Sequence, residues 1–158
     1  GTGGAVRLAL SQLDGESVLL LNGDSFCDAD LAALLDFHAA APHRATLTLT
    51  RVPDAGRYGR VRLDGDHVTG FEEKNPHAGP GWINAGVYLF ARDLLEAIPA
   101  GRAVSLERDC LPDWVAAGRV RGFAGGGRFI DIGTPESYAE ASAFFAAGSG
   151  LTPAEAAA

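Results

Sequence analysis

Val18 to Leu21 are four apolar residues in a row, and they run straight into Asn22, Gly23, Asp24 and Ser25. A run this short, bounded by turn residues, predicts a strand covered on both faces, as in a parallel sheet flanked by helices. In such sheets the carboxyl ends of the strands open into the ligand crevice. A buried strand that ends on a carboxylate therefore places Asp24 where an α/β protein keeps its chemistry.

The rest of the chain alternates in the same way. Ala5 to Leu13 sets Val6, Leu8, Leu10 and Leu13 around a short helix. Asp28 predicts the N-cap of a helix from Ala29 to Ala41, with Leu31, Leu34, Leu35 and His38 on one face. Ala45 to Val52 alternates and is rich in β-branched residues, so it predicts a strand. Gly59 to Leu63 and His67 to Glu73 flank the turn Asp64, Gly65, Asp66 and predict a hairpin. Further strands are expected at Trp82 to Phe90, Val120 to Phe123 and Arg128 to Ile132, with a short helix at Arg92 to Ile98. Ser105 to Ala117 is helical by period, and Pro112 should kink it or split it in two. Thr134 and Pro135 open a last helix reaching about Ala147, and residues 148–158 read as a loose small-residue tail. The expected fold is α/β, one domain over residues 1–147, with a mostly parallel sheet and one antiparallel excursion.

Composition narrows the function. The 158 residues are 47% hydrophobic, enough for one globular core, and carry a net charge of −7. Lys74 is the only lysine, which leaves no basic stripe for a nucleic-acid backbone, so no nucleic-acid partner is expected. No apolar stretch reaches the roughly 18 residues of a membrane span, and no secretory leader pattern opens the chain. The expectation is a soluble, cytoplasmic protein with no membrane partner. Cys27 and Cys110 stand apart, without a CxxC pair or a Cys/His cluster, and read as reduced, mostly buried thiols. The chain has no Met and begins GTGGAVRLAL, which predicts a fragment or a processed product.

Several residues could carry chemistry. Asp24 ends one strand and Asp131, in FIDIGTPESY, ends or nearly ends another. If both strands share a sheet, the two carboxylates meet above its carboxyl edge. Two Asp without His or Cys suit a hard cation such as Mg²⁺, whose shell substrate phosphates would complete. Each Asp could equally hydrogen-bond the turn that follows it. Asp28 and Asp30 have the spacing of a glycosyltransferase metal motif, or they cap a helix. In GFEEKN, Lys74 adjoins Glu72, Glu73 and Asn75; Lys suits a phosphate and Glu a sugar hydroxyl, provided the strand has ended or bulged there. Asn84, Ala85 and Gly86 interrupt a strand with small residues, as a bulge or a close-approaching ligand requires. Gly1, Thr2, Gly3 and Gly4 could offer backbone N–H groups to a ligand or form a flexible end. His38, His43, His67 and His77 have no ligand spacing and receive no role.

The order of the motifs is more specific than any one of them. GTGGA, VLLLNGDSF, YGRV, FEEKN, INAGVYLF, SLERDCLP and FIDIGTPESY, spread from Gly1 to about Phe145, resemble the sugar-nucleotidyltransferases. The SLERD and FIDIGTPESY segments are most similar to guanylyltransferases acting on heptose 1-phosphate or mannose 1-phosphate. The resemblance implies a Rossmann-like three-layer nucleotidyltransferase fold, here missing its first strand and the Gly-rich turn carrying GTR that grips the triphosphate. It implies that Asp24 and Asp131 hold Mg²⁺ and that Lys74 contacts the sugar phosphate. Gly1, Thr2, Gly3 and Gly4 would border the nucleobase and ribose, and Asn22 and Gly23 would lie with Asp24 in the binding site. Gly59 would pack by the sugar, Glu73 would bind its hydroxyls, and Asn84 and Gly86 would line its pocket. The implied partners are GTP, or another nucleoside triphosphate, and a sugar 1-phosphate; homo-oligomerisation is compatible with it. The implied reaction is transfer of a nucleotide to the sugar phosphate with pyrophosphate leaving, and the piece by itself is expected to be inactive. A catalytically silent sugar-nucleotide-binding relative and a metal-dependent glycosyltransferase using Asp28 and Asp30 are the rival readings.

Overall fold

The computed structural model describes residues 1–41 and 45–149. His43 and residues 150–158 of the expected tail lie outside the described residues.

Helix α1 spans Thr2–Ala9 and continues through a 3₁₀ turn at Leu10–Gln12, so of the two readings of the opening glycines the helix start holds and the flexible end does not. Strand β1, Ser17–Leu21, forms where expected, but it is not covered on both faces: of its residues only Val18 is buried, because β1 lies at the edge of its sheet. The next element overturns the expected helix start at Asp28. Ser25–Ala29 is strand β2, and α2 begins only at Leu31–Ala39, capped by Asp30, whose Oδ1 accepts the Ala33 N–H at 3.0 Å. Asp28 and Asp30 are two acids of cap type two residues apart, and only the second has the helix behind it. Strand β3 is Ala45–Val52, β4 Val61–Asp64 and β5 His67–Phe71. Strand β6 spans Gly81–Ala91 and leads directly into α3, Arg92–Glu96. The Ser105–Ala117 segment is split, as Pro112 demands: a π-wound turn at Leu106–Cys110 precedes α4, Leu111–Ala116, with the proline in its first turn. Strands β7, Val120–Phe123, and β8, Gly126–Asp131, precede α5, Pro135–Ser149. Gly148 and Ser149, assigned to the tail by sequence, are thus helical.

Six strands form one sheet in the order β1-β6-β3-β7-β5-β4. The expected mostly parallel sheet needs correcting at the level of pairing. β1, β3, β7 and β4 share a direction, yet only β3 and β7 are parallel neighbours; every other pair is antiparallel. The cause is β6, which runs back between β1 and β3, and β5, which runs back between β7 and β4. β1 is an edge strand of this sheet, and its Leu21 is 56% exposed.

The sheet lies between two helical layers. Leu47, Leu49, Tyr88 and Phe90 face Val6 and Leu10 of the first helical segment, Leu94 and Leu95 of α3, and Leu111 of α4. On the other face Val87 and Leu89 pack against Leu34 of α2. Both faces of β3 are covered, so even its alternate Thr46, Thr48 and Thr50 are buried. Burying one large side chain such as Phe90 removes apolar surface worth about 1.5–3 kcal/mol. The threonines keep their hydroxyls largely satisfied: Thr46 Oγ1 meets His38 Nδ1 at 2.8 Å and Thr50 Oγ1 donates to Gly127 O at 3.0 Å. β2 and β8 form a separate two-stranded antiparallel ribbon, against which α5 packs through Phe26, Phe144 and Phe145. No helix of the described residues is long and apolar enough to cross a membrane.

Candidate functional site

The site is built where β1 ends. Asn22 leaves the strand with its N–H donating to Gly86 O at 2.8 Å, across from a break in β6. The break is a register shift on the β3 side, where Leu47 pairs with Tyr88 but Leu49 pairs with Asn84. Gly86 sits in it at φ 76°, a conformation that favours glycine, and a Cβ there would lie 2.7 Å from both Asn22 Nδ2 and Ser25 Oγ. The small residues of INAGVY therefore let two strands and the Asn22 to Ser25 turn close on one another.

Asp24 and Asp131 meet, but not by the route expected. β8 is outside the six-stranded sheet; the β2–β8 ribbon pairs Ser25 with Asp131, and Ile132 N donates to Asp24 O at 2.8 Å. An antiparallel ribbon brings its two ends side by side whatever their separation in sequence. Both carboxylates face Gly133, where a Cβ would stand 3.1 Å from Asp131 Oδ1 and 3.6 Å from Asp24 Oδ2. Asp131 Oδ1 also accepts the Gly133 N–H at 2.8 Å, the local turn bond that was its alternative role.

A cleft of about 190 Å³ gathers Asp24, Asp131, Lys74, Asn22 and Asn84 with Arg57, Tyr58 and Glu107. Strand β5 ends at Phe71, so Lys74 is free of the strand's alternation when it reaches the cleft. The loop bearing Arg57 and Tyr58 is anchored on residues 72–80. Arg60 donates to Ala78 O and Pro80 O, and a Cβ on Gly56 would come within 2.6 Å of Asn75 O. Tyr58 meets Phe129 of β8 edge-on at 5.4 Å, which closes the cleft from the ribbon side. A second cavity, about 180 Å³, adjoins it through shared Tyr58, Asn84 and Glu107; Gly59, Val61, Phe71, Glu72 and Leu111 form its other walls. Gly59 has φ 84°, and its missing Cβ admits Glu72 O, 2.8 Å from where that atom would be. A third groove, about 570 Å³, runs past Thr2, Leu21, Asn22, Gly23 and Asp24.

Not every residue singled out by sequence reaches these cavities. Glu73 is exposed and lines none of them; Glu72 stands beside Gly59 and lies 3.9 Å from Arg60. Gly1, Gly3 and Gly4 turn their bare faces to residues 102–106, and of the four opening residues only Thr2 lines the large groove. Asn84 is committed internally: Oδ1 accepts the Gly86 N–H at 3.1 Å and Nδ2 donates to Tyr88 OH at 2.8 Å. Burial, together with the charges of Glu107 and Asp24, pushes the Tyr88 phenol up to about 12, so it remains a neutral hydroxyl. Arg57, Tyr58 and Glu107 were missed by residue-level reading. Tyr58 and Glu107 lie in YGRV and SLERD, motifs in which no position announces itself by spacing, and Arg57 stands one residue before YGRV, in no motif.

Two carboxylates are a sparse metal set. Among the described residues no three or more His, Cys, Asp or Glu side chains gather as a metal group. The pair nevertheless fits Mg²⁺: both donors are hard oxygens, they converge on a glycine with no side chain, and Mg²⁺ ordinarily takes one or two carboxylates plus phosphate and water.

The profile of the family described as "Nucleotidyl transferase" matches residues 1–148. The mannose-1-phosphate guanylyltransferase of Mycobacterium tuberculosis is 38% identical over 157 residues, 98% of this chain and 44% of that protein. The D-glycero-alpha-D-manno-heptose 1-phosphate guanylyltransferase of Aneurinibacillus thermoaerophilus is 33% identical, over 89% of this chain and 61% of its own length. Among solved structures, HddC from Yersinia pseudotuberculosis superposes with a TM-score of 0.80 at 32% identity, covering 92% of this chain and 62% of that one. The chain thus spans about half the length of the curated relatives it matches, and the family match over residues 1–148 makes it a member of the nucleotidyl transferase family.

Proposed function

We propose that the whole protein transfers a nucleoside monophosphate, preferentially GMP, from the triphosphate to a mannose or heptose 1-phosphate. The convergence of Asp24, Asp131 and Lys74 on one cleft carries this reading. The names of the relatives support the guanine base and these two sugars, and HddC has been solved with GMP-PN.

An oxygen of the sugar phosphate attacks the α-phosphorus of the nucleotide; the bond from that phosphorus to the bridging oxygen breaks and pyrophosphate leaves. Asp24 and Asp131 would hold Mg²⁺, which when bound supplies charge neutralisation to the phosphates. Lys74 and Arg57 place two further positive charges at the same cleft and orient the phosphate of the acceptor. Asn22 and Gly23 end β1 beside Asp24 and shape the boundary between the large groove and the cleft. Asn84 and Gly86 keep β6 broken open, so the wall of the sugar pocket stays in place. No general base is needed, because the attacking phosphate oxygen is already ionised at neutral pH; positioning and electrostatics supply the rate.

The assay is pyrophosphate release with GTP, Mg²⁺ and either sugar phosphate, run on wild type and on Asp24→Asn and Asp131→Asn. Release that falls at least about 100-fold in both variants, with melting unchanged, is the expected result. Turnover that survives both substitutions, or no release with any pairing of nucleotide and sugar phosphate, would overturn the proposal.

A further inference from the structure

One side chain lines all three cavities. Glu107 borders the large groove beside α1, the pocket beside Gly59 and the cleft of Asp24 and Asp131. It sits exposed on the π-wound turn Leu106–Cys110, a type of turn that recurs at functional sites. An exposed glutamate ordinarily samples several rotamers, yet this one is held from two sides. Its Oε2 accepts from Thr2 Oγ1 at 3.0 Å and from Ser105 Oγ at 3.1 Å. Thr2 Oγ1 in turn accepts the Leu106 N–H at 2.9 Å, and Ser105 Oγ accepts the Arg108 N–H at 3.3 Å. Each hydroxyl therefore has its acceptor side occupied by the backbone and directs its single proton to the carboxylate. Both bonds fall on the same oxygen, and Oε1 has no hydrogen-bond partner among the described residues.

The polarity around this free oxygen selects what it can meet. Glu107 and Asp24 both contribute negative charge at Tyr88, so a phosphate placed at Glu107 would be repelled and a hydroxyl donor attracted. Lys74 and Arg57 supply the positive charge of the adjoining cleft, whereas the Gly59 pocket has Val61, Phe71 and Leu111 as apolar walls with Glu107 at its rim. A sugar phosphate has matching ends: hydroxyls on a partly apolar ring, and a dianion.

We propose that Glu107 reads the sugar: Oε1 accepts a hydrogen bond from one ring hydroxyl, seating the ring in the Gly59 pocket with its phosphate toward Lys74 and Arg57. Thr2 and Ser105 are positioning residues that fix the rotamer. The inference rests on the nucleotidyl-transfer reading and adds to it a specificity residue and an orientation for the acceptor.

The test is calorimetric titration of wild type, Glu107→Gln and Thr2→Val with mannose 1-phosphate, its monodeoxy analogues and inorganic phosphate. The glutamine can keep both clamp bonds through its oxygen while presenting a donor in place of Oε1. Loss of a hydrogen bond to a charged acceptor corresponds to about 10–100-fold in affinity. That loss is expected in Glu107→Gln with the parent sugar phosphate and in wild type with one deoxy analogue. Combining the variant with that analogue should add nothing further, and inorganic phosphate should bind Glu107→Gln no more weakly than wild type. Should Glu107→Gln fail to fold, Thr2→Val must still reduce discrimination between the parent and that same analogue. Equal weakening of every analogue and of inorganic phosphate, or no weakening at all, overturns the role of Glu107 while leaving nucleotidyl transfer standing. Wild type that binds no sugar phosphate overturns both.

Discussion

Two glycine-to-alanine changes should separate the fold from the site. Gly86 lies at φ 76°, and alanine in this left-handed region costs about 1–2 kcal/mol. For 158 residues, each kcal/mol lowers Tm by about 2–4 °C, so the backbone effect alone gives roughly 2–8 °C. The added methyl would also stand 2.7 Å from Asn22 Nδ2 and Ser25 Oγ, nearer than carbon approaches such atoms, so the loss should reach the upper end of that range. Gly133 has no positive φ, and a methyl there meets Asp131 Oδ1 at 3.1 Å and Asp24 Oδ2 at 3.6 Å without striking backbone. Gly133→Ala should therefore melt within about 2 °C of wild type, yet it places hydrocarbon against both carboxylates. Its Mg²⁺ affinity should fall about tenfold, equivalent to about 1.4 kcal/mol. Scanning calorimetry with a parallel Mg²⁺ titration reads both quantities. Wild-type Mg²⁺ affinity in Gly133→Ala, or a fall in Tm as large as that of Gly86→Ala, would refute the idea that the carboxylates converge on Gly133 to hold a cation.

Asp30→Ala removes the cap of α2 and should cost about 1 kcal/mol in denaturant melts while leaving pyrophosphate release intact. Abolished release at unchanged stability would instead restore the reading of Asp28 and Asp30 as a metal motif. His38, half-buried between Ser17 and Thr46, titrates below the ordinary histidine range because burial, and then the charge of Arg121, disfavours its protonated form. As pH falls through about 6.5 the unfolded chain takes up a proton that the folded chain resists, so stability should decline toward pH 5. Melting curves of His38→Gln should show a shallower decline over that interval; an identical slope would exclude His38 as its source.

Local pattern made much of this architecture legible. The apolar run of β1, the β-branched β3, the Asp64 to Asp66 hairpin turn, the Pro112 split and the Pro135 helix start follow from short-range sterics and burial, and each appears within a few residues of its expected place. Asp24 and Lys74 could be singled out because a carboxylate closing an apolar strand, and a lone lysine among acids, are unusual where they stand. The start of α2 was misplaced because Asp28 and Asp30 are equivalent as caps until β2 finds its partner a hundred residues away in β8. Strand neighbours were likewise not readable, nor was the reversed direction of β6: which strands pair depends on contacts between distant segments, and β6 took the place beside β1 and β3 that a simple alternation gives to parallel strands. Glu107 shows the same division. Its identity is written in SLERD, but its partner Thr2 lies 105 residues away, and only the packed chain brings that hydroxyl to the carboxylate. The sequence by itself determined which residues could bind phosphate, cation or sugar, because that is a property of side-chain chemistry; tertiary structure decided which of them meet, because proximity between distant segments exists only after the sheet and the ribbon have closed.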